Sequence, residues 1–140
     1  GLVGEQFRNI SDYLVGVDLS QAILDEGHTI RPNLYNETIM GDIIQVFTST
    51  TFKGKINLII AADSYIYFGD LEPLFVAMEE GLVDNGYAAF TLENVDKDDE
   101  EILETTKPNW RWKLTASGRF AHRRKYVEEM SHQHHLSVEH

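Results

Sequence analysis

The sequence predicts an α/β fold: a mostly parallel sheet with helices on both faces. Three observations carry this expectation. Strand-like and helix-like segments alternate along the chain, the pattern that winds a parallel sheet. Residues 55–62 contain Ile56-Asn57-Leu58-Ile59-Ile60-Ala61-Ala62, an almost unbroken apolar run expected of a central strand covered on both faces. Three successive strand segments also end on an acid, at Asp18, Asp42 and Asp63, about one strand–helix unit apart. Ligands of open α/β sheets sit outside the carboxyl ends of the strands, so acids there are placed to meet one.

Each element has a local reason. Phe7 and Ile10 fall at helical spacing in a short helix over residues 5–10, which Ser11-Asp12 breaks. Residues 13–17 read as a buried strand running into Asp18, and Ser20 is a helix N-cap before Ala22, Ile23 and Leu24. Gly27 weakens that helix and Pro32 limits it. Thr38-Ile39-Met40 is a short strand ending at Gly41-Asp42, followed by a short helix over 43–47 and a polar loop to Gly54. After the strong strand, Asp70 caps a helix whose Leu71, Leu74, Phe75, Met78 and Leu82 share one face. Pro73 is tolerated in a first turn, where no intrahelical N–H is lost. Asp84-Asn85-Gly86 reads as a stop signal, and residues 87–92 as a strand ending on Glu93. Residues 96–101 (DKDDEE) are a solvated acidic loop or helix start, 110–114 a further strand, 115–118 a turn and 123–132 the last helix.

Composition narrows the function classes. The chain has 140 residues, one domain's worth, with 12 basic against 23 acidic side chains and a net charge of −11. That balance repels phosphate backbones, and the one basic cluster, residues 119–125 (RFAHRRK), is too short to make nucleic acid an expected partner. With no cysteine there is no disulfide scaffold, thiolate metal site or thiol nucleophile. No apolar run reaches the roughly 18 residues of a membrane span, and the first residues lack the basic and apolar regions of a signal peptide. The expected location is cytoplasmic, without a membrane partner. His132, His134 and His135 read as part of a frayed tail with no carboxylate or thiolate partner fixed by spacing, so no metal site is expected.

At Val15-Gly16-Val17-Asp18-Leu19-Ser20, Gly41-Asp42 and residues 59–68 (IIAADSYIYF), the sequence resembles the class I S-adenosylmethionine-dependent methyltransferases. It is most similar to a bacterial-type subgroup often fused to tetratricopeptide repeats, through Tyr67-Phe68-Gly69-Asp70-Leu71-Glu72-Pro73-Leu74 and residues 114–122 (LTASGRFAH); no such repeats occur here. The resemblance implies a Rossmann-like methyltransferase fold with S-adenosylmethionine as cofactor. It implies that Asp18 binds both ribose hydroxyls, that Leu19 packs on adenine, that Asp42 accepts from the adenine amino group and that the Ile43 backbone reads a ring nitrogen. Ala61, Ala62 and Asp63 would lie beneath the methionine end, near the transferred methyl. Of the family's glycine-rich motif only Gly1 corresponds, with Leu2-Val3-Gly4 entering the next helix. The family's first, central strand has no counterpart, nor has a closing strand after Leu136. The chain therefore reads as a single, incomplete methyltransferase domain over residues 1–140.

Methyl transfer needs positioning above all, and a general base only where the acceptor must lose a proton. Asp63, Tyr65 and His122 are the catalytic candidates, and Tyr67 and Arg119 the substrate-binding ones. Packing is the competing role for both tyrosines, and a turn-stabilising pair for Arg119 with His122. No asparagine-proline-aromatic motif follows the strong strand, so the acceptor, a small molecule or a protein, is open. Two other readings compete. A nicotinamide-dependent oxidoreductase also places an acid after its second strand, but needs a G-x-G-x-x-G turn that Gly1-Leu2-Val3-Gly4 does not supply. A non-catalytic fragment or interaction module would have its sheet gap filled by a partner strand or a second copy, making a homo-oligomer through exposed strand edges.

Overall fold

The computed structural model describes residues 2–139. The chain opens with helix α1 (Leu2–Phe7), continued by a 3-10 turn (Arg8–Ile10), then strand β1 (Val15–Asp18), helix α2 (Gln21–Ile30) and strand β2 (Glu37–Met40). Helix α3 (Ile43–Thr48), strand β3 (Ile56–Ala61), a 3-10 turn (Tyr65–Tyr67), helix α4 (Glu72–Gly81) and strand β4 (Leu82–Phe90) follow. The chain ends with helix α5 (Lys97–Thr106), the hairpin β5 (Trp112–Leu114) and β6 (Phe120–His122), and helix α6 (Arg124–Gln133).

Helix starts obey capping chemistry. Ser20 Oγ accepts the Ile23 N–H, Asp42 Oδ1 the Ile44 N–H and Asp96 Oδ1 the Asp99 N–H, each satisfying a backbone donor that the helix leaves unpaired. The acidic run at 96–101 is therefore helix, with Asp98, Asp99 and Glu100 at the positive end of the α5 dipole. Asp70 caps from one position further out than expected: Leu71 holds the N-cap position, and Asp70 Oδ1 accepts the Glu72 N–H at 3.1 Å. That oxygen also accepts the Tyr126 hydroxyl, which in turn accepts the Leu71 N–H, both at 2.9 Å.

Sheet pairing departs from a continuous sheet. β1 pairs with β2 and β3 with β4, both parallel, while β5 and β6 form an antiparallel hairpin. Among the described residues neither parallel pair is hydrogen-bonded to the other. The expectation of a central strand covered on both faces fails at β3, where Ile59 is buried but Asn57 and Leu58 are exposed. A parallel strand is buried only when neighbours flank it and helices cover it; among the described residues β3 is paired with β4 on one side alone. The stop expected at Asp84-Asn85-Gly86 is instead an irregularity inside β4. Asn85 takes φ +60°, and the pairing slips from Ile56 with Leu82 to Leu58 with Tyr87. Leu82 accordingly begins a strand rather than ending α4, whose last residue is Gly81.

The core forms around α4. Leu71, Leu74, Phe75, Ala77 and Met78 are completely buried, packed with Phe47 of α3, Ile59 of β3, and Tyr126 and Met130 of α6. The chain after α6 is docked rather than frayed. His134 and His135 each place Nδ1 on one oxygen of the Glu79 carboxylate, at 2.9 and 2.7 Å, and the Leu136 N–H reaches the Ser131 carbonyl.

Candidate functional site

Two acids meet at the end of the first parallel pair. The register sets Val17 opposite Ile39 and Asp18 opposite Met40, and the Gly41 N–H donates to the Asp18 carbonyl at 3.0 Å. This brings Asp18 and Asp42 to the same carboxyl edge. Each acid spends one oxygen on its own chain: Asp18 Oδ1 accepts the Ser20 N–H and Asp42 Oδ1 the Ile44 N–H, both at 2.8 Å. The second oxygen of each has no hydrogen-bond partner among the described residues. Leu19 beside them is 76% exposed, with Ile23 and Met40 also exposed and Ile43 half-buried. Free carboxylate acceptors beside bare apolar side chains suit a ligand that carries hydroxyl or amino donors next to an apolar ring. Gly1, the remaining expected contact, lies outside the described residues.

A second group stands at the end of the other pair. Asp63, just past β3, takes φ +57°, a left-handed conformation that Asp tolerates better than most residues. Its N–H donates to Thr91 Oγ1 at 2.9 Å, tying the ends of β3 and β4 together, while the preceding Ala62 carbonyl accepts the Ser64 hydroxyl. The β5–β6 turn carries Arg119 to this edge. Its closure rests on Gly118 at φ +81° and on the Arg119 carbonyl, which accepts both the N–H and the hydroxyl of Thr115. The guanidinium then lies 4.0 Å from Asp63 and 3.8 Å from Glu93, ion-pair contacts too long for direct hydrogen bonds.

His122 and Tyr65 do not reach that surface. His122 is 4% exposed, and its Nε2 lies 3.1 Å from the Gly69 carbonyl. Burial pushes its imidazole below the ordinary pKa, against the opposing pull of the Gly69 and Phe68 carbonyls. Tyr65 is buried against Phe68 and Phe90, and burial drives its hydroxyl far above the ordinary phenol range. Neither group is placed to exchange a proton with a ligand at the strand ends. His122 instead pins the hairpin to Gly69, where a β-carbon would come within 2.9 Å of Trp112 Nε1 and 3.1 Å of Phe120. Tyr67, at 62% exposed, stays at the surface.

The residues missed from sequence are Thr91 and Glu93. Glu93 carried the available signal, since it is a fourth acid ending a strand. Its place depends on the carbonyl, which accepts the His122 N–H at 3.0 Å and bridges β4 to β6. Of the tail histidines, His134 and His135 make with Glu79 a clasp between α4 and the end of α6. No cluster of three or more metal-ligating side chains occurs among the described residues, and no helix among them is long and apolar enough to cross a membrane.

No protein-family model matches the sequence, and neither does any curated protein. Among solved structures, the chain is similar to an S-adenosylmethionine-dependent methyltransferase from Mesorhizobium loti. The TM-score is 0.65 at 15% identity, over 93% of this chain and 66% of that one. It is likewise similar to the PH0226 protein from Pyrococcus horikoshii OT3, with a TM-score of 0.64 at 19% identity, over 95% of this chain and 67% of that one. The chain thus spans about two thirds of the length of these structures and shares their fold over nearly all of its own.

Proposed function

We propose that this chain carries the nucleoside-binding half of an S-adenosylmethionine-dependent methyl-transfer site, acting in the cytoplasm on a small-molecule or protein acceptor. The observation that carries the reading is the pair Asp18 and Asp42, at the same carboxyl edge of β1 and β2, each with one carboxylate oxygen that has no hydrogen-bond partner among the described residues. In this reading Asp18 takes the ribose hydroxyls, Asp42 the adenine amino group, and Leu19 and Ile43 the faces and edge of the ring. S-adenosylmethionine supplies the electrophilic methyl group when bound. Asp63, Arg119 and Tyr67 then border the acceptor side, while His122 acts through the hairpin that it pins. Likeness to a methyltransferase fold supports this assignment.

One feature favours a second reading. The exposed Asn57 and Leu58 on β3, and a β1 that among the described residues pairs with β2 alone, suit an interaction module completed by another strand from a partner or a second copy.

Calorimetric titration with S-adenosylmethionine, S-adenosylhomocysteine and NAD separates the classes. Heat with the sulfur ligands but not with NAD is expected, and Asp18→Ala should abolish it with an unchanged far-ultraviolet spectrum. Absence of heat with both sulfur ligands, from this chain and from one extended to the length of its structural neighbours, would sink the methyl-transfer reading.

A further inference from the structure

The pairing of β3 with β4 slips at one place. Ile56 lies opposite Leu82 and Leu58 opposite Tyr87, so Val83, Asp84, Asn85 and Gly86 have no register partner on β3. Two requirements meet in that slip. Residue 85 sits at φ +60°, a left-handed conformation that asparagine adopts more readily than most residues with a β-carbon. Residue 86 is closely walled: a β-carbon there would meet the Val83 carbonyl oxygen at 3.0 Å and that of Ile56 at 3.2 Å, and a backbone oxygen cannot swing aside as a side chain can. The fold therefore favours asparagine at 85 for its φ and glycine at 86 for room. Asn85 is exposed, and its carboxamide has no hydrogen-bond partner among the described residues.

An asparagine before a glycine carries a chemistry of its own. The nitrogen of the following residue can close a five-membered ring on the side-chain carbonyl carbon, and glycine leaves that nitrogen unscreened because it has no side chain. We propose that Asn85 is a site of spontaneous deamidation in the folded chain, through a succinimide formed with the Gly86 nitrogen. The Gly86 nitrogen bonds to Asn85 Cγ, the bond from Cγ to Nδ2 breaks, and Nδ2 leaves as ammonia with the proton that Gly86 gives up. Water then adds to either ring carbonyl and opens the ring, to an aspartate or to an isoaspartate. Nothing is oxidised or reduced, and water is the co-reactant. Either product adds a negative charge beside Asp84, and the isoaspartate also adds one carbon to the main chain where the pairing slips. Asn85 is the one asparagine of the chain that glycine follows. Asn33 is its matched control, exposed and left-handed at φ +64° but followed by Leu34.

Peptide mapping by mass spectrometry tests this on the whole folded chain, incubated warm at neutral pH and sampled over weeks. Conversion at Asn85 should run about tenfold or more faster than at Asn33, where the Leu34 side chain crowds the attacking nitrogen that glycine leaves open. Both aspartate and isoaspartate should form, and the rate should climb with pH, because the nitrogen attacks once it has lost its proton. The more acidic species that accumulates in the intact chain should vanish in Asn85→Gly, which keeps the left-handed conformation without the carboxamide. Gly86→Ala should both slow conversion and lower the melting temperature, since the slip has no room for the added methyl group. Conversion at Asn85 no faster than at Asn33, or conversion seen only in urea, would overturn a site competent in the folded chain. Aspartate without isoaspartate would mark direct hydrolysis and overturn the ring. An acidic species that persists in Asn85→Gly would overturn the assignment to this residue.

Discussion

Asp42 gives one oxygen to the Ile44 N–H and keeps the other for a ligand, so different substitutions there separate two roles. Asp42→Ala should cost about 1 kcal/mol through the lost cap and weaken nucleoside binding as well. Asp42→Asn should keep the cap, because its side-chain carbonyl still accepts, yet change ligand preference. Thermal melts and titration of the two variants check this, and a melt unaffected by Asp42→Ala would contradict it. The position of this acid was legible because Gly41-Asp42 follows a short apolar run. His122 was not. The sequence places a histidine beside a turn, and only the fold decides that it faces the Gly69 carbonyl rather than solvent. Burial makes its proton easier to bind in the unfolded chain, whose value is the ordinary 6.5. Its contribution to stability is therefore complete above pH 6.5 and is lost as the pH falls below that value toward the depressed folded one. Urea midpoints between about pH 5 and 8, where imidazole titrates, should decline toward acid, and His122→Gln should flatten that slope.

Gly69 sets the docking of a whole element. A β-carbon there would meet Trp112 Nε1 at 2.9 Å and the Phe120 ring at 3.1 Å, so a methyl group cannot enter unless those two side chains of the β5–β6 hairpin shift. Gly69→Ala should cost about 1–3 kcal/mol, the range for overpacking a fitted contact. It should also release the hairpin that holds Arg119 near Asp63 and Glu93. Hydrogen exchange should accelerate at residues 112–122 and hardly at all within α4; uniform protection would refute the docking role. Elements differed in how plainly the sequence announced them. Leu71, Leu74, Phe75 and Met78 declare α4 by spacing, yet Leu82 fits the same face and belongs to β4, because spacing cannot say where a backbone changes course. β6 escaped notice since three residues between two arginines carry too little periodicity. The Asp84-Asn85-Gly86 turn signal was real chemistry in another place, producing a slipped pairing instead of a loop.

At the scale of the molecule, alternation of strands and helices was readable from the first residues onward. The covering of β3 was not, because burial of a strand depends on neighbours that its own residues cannot name. What the pairing leaves is a chain whose parts are unequally anchored. Among the described residues, none before Ile43 belongs to the main core cluster or packs against it. The β1–α2–β2 segment is secured largely by Leu24, Leu34 and Tyr35, which wedges beside Gly4 and Gly16, and by Arg8, which reaches the Leu34 carbonyl and Asn36. Such a segment opens on its own at a lower free energy than the block around α4. Exchange at residues 15–40 should outpace exchange at 56–90, with two resolved opening energies rather than one. The acids Asp18 and Asp42 sit at the rim of that weaker block. A nucleoside held between them would stabilise the weaker block by mass action. Occupancy would then be recorded as a merging of two unfolding steps into one, with the ligand serving as a mortar that the apolar core does not extend to.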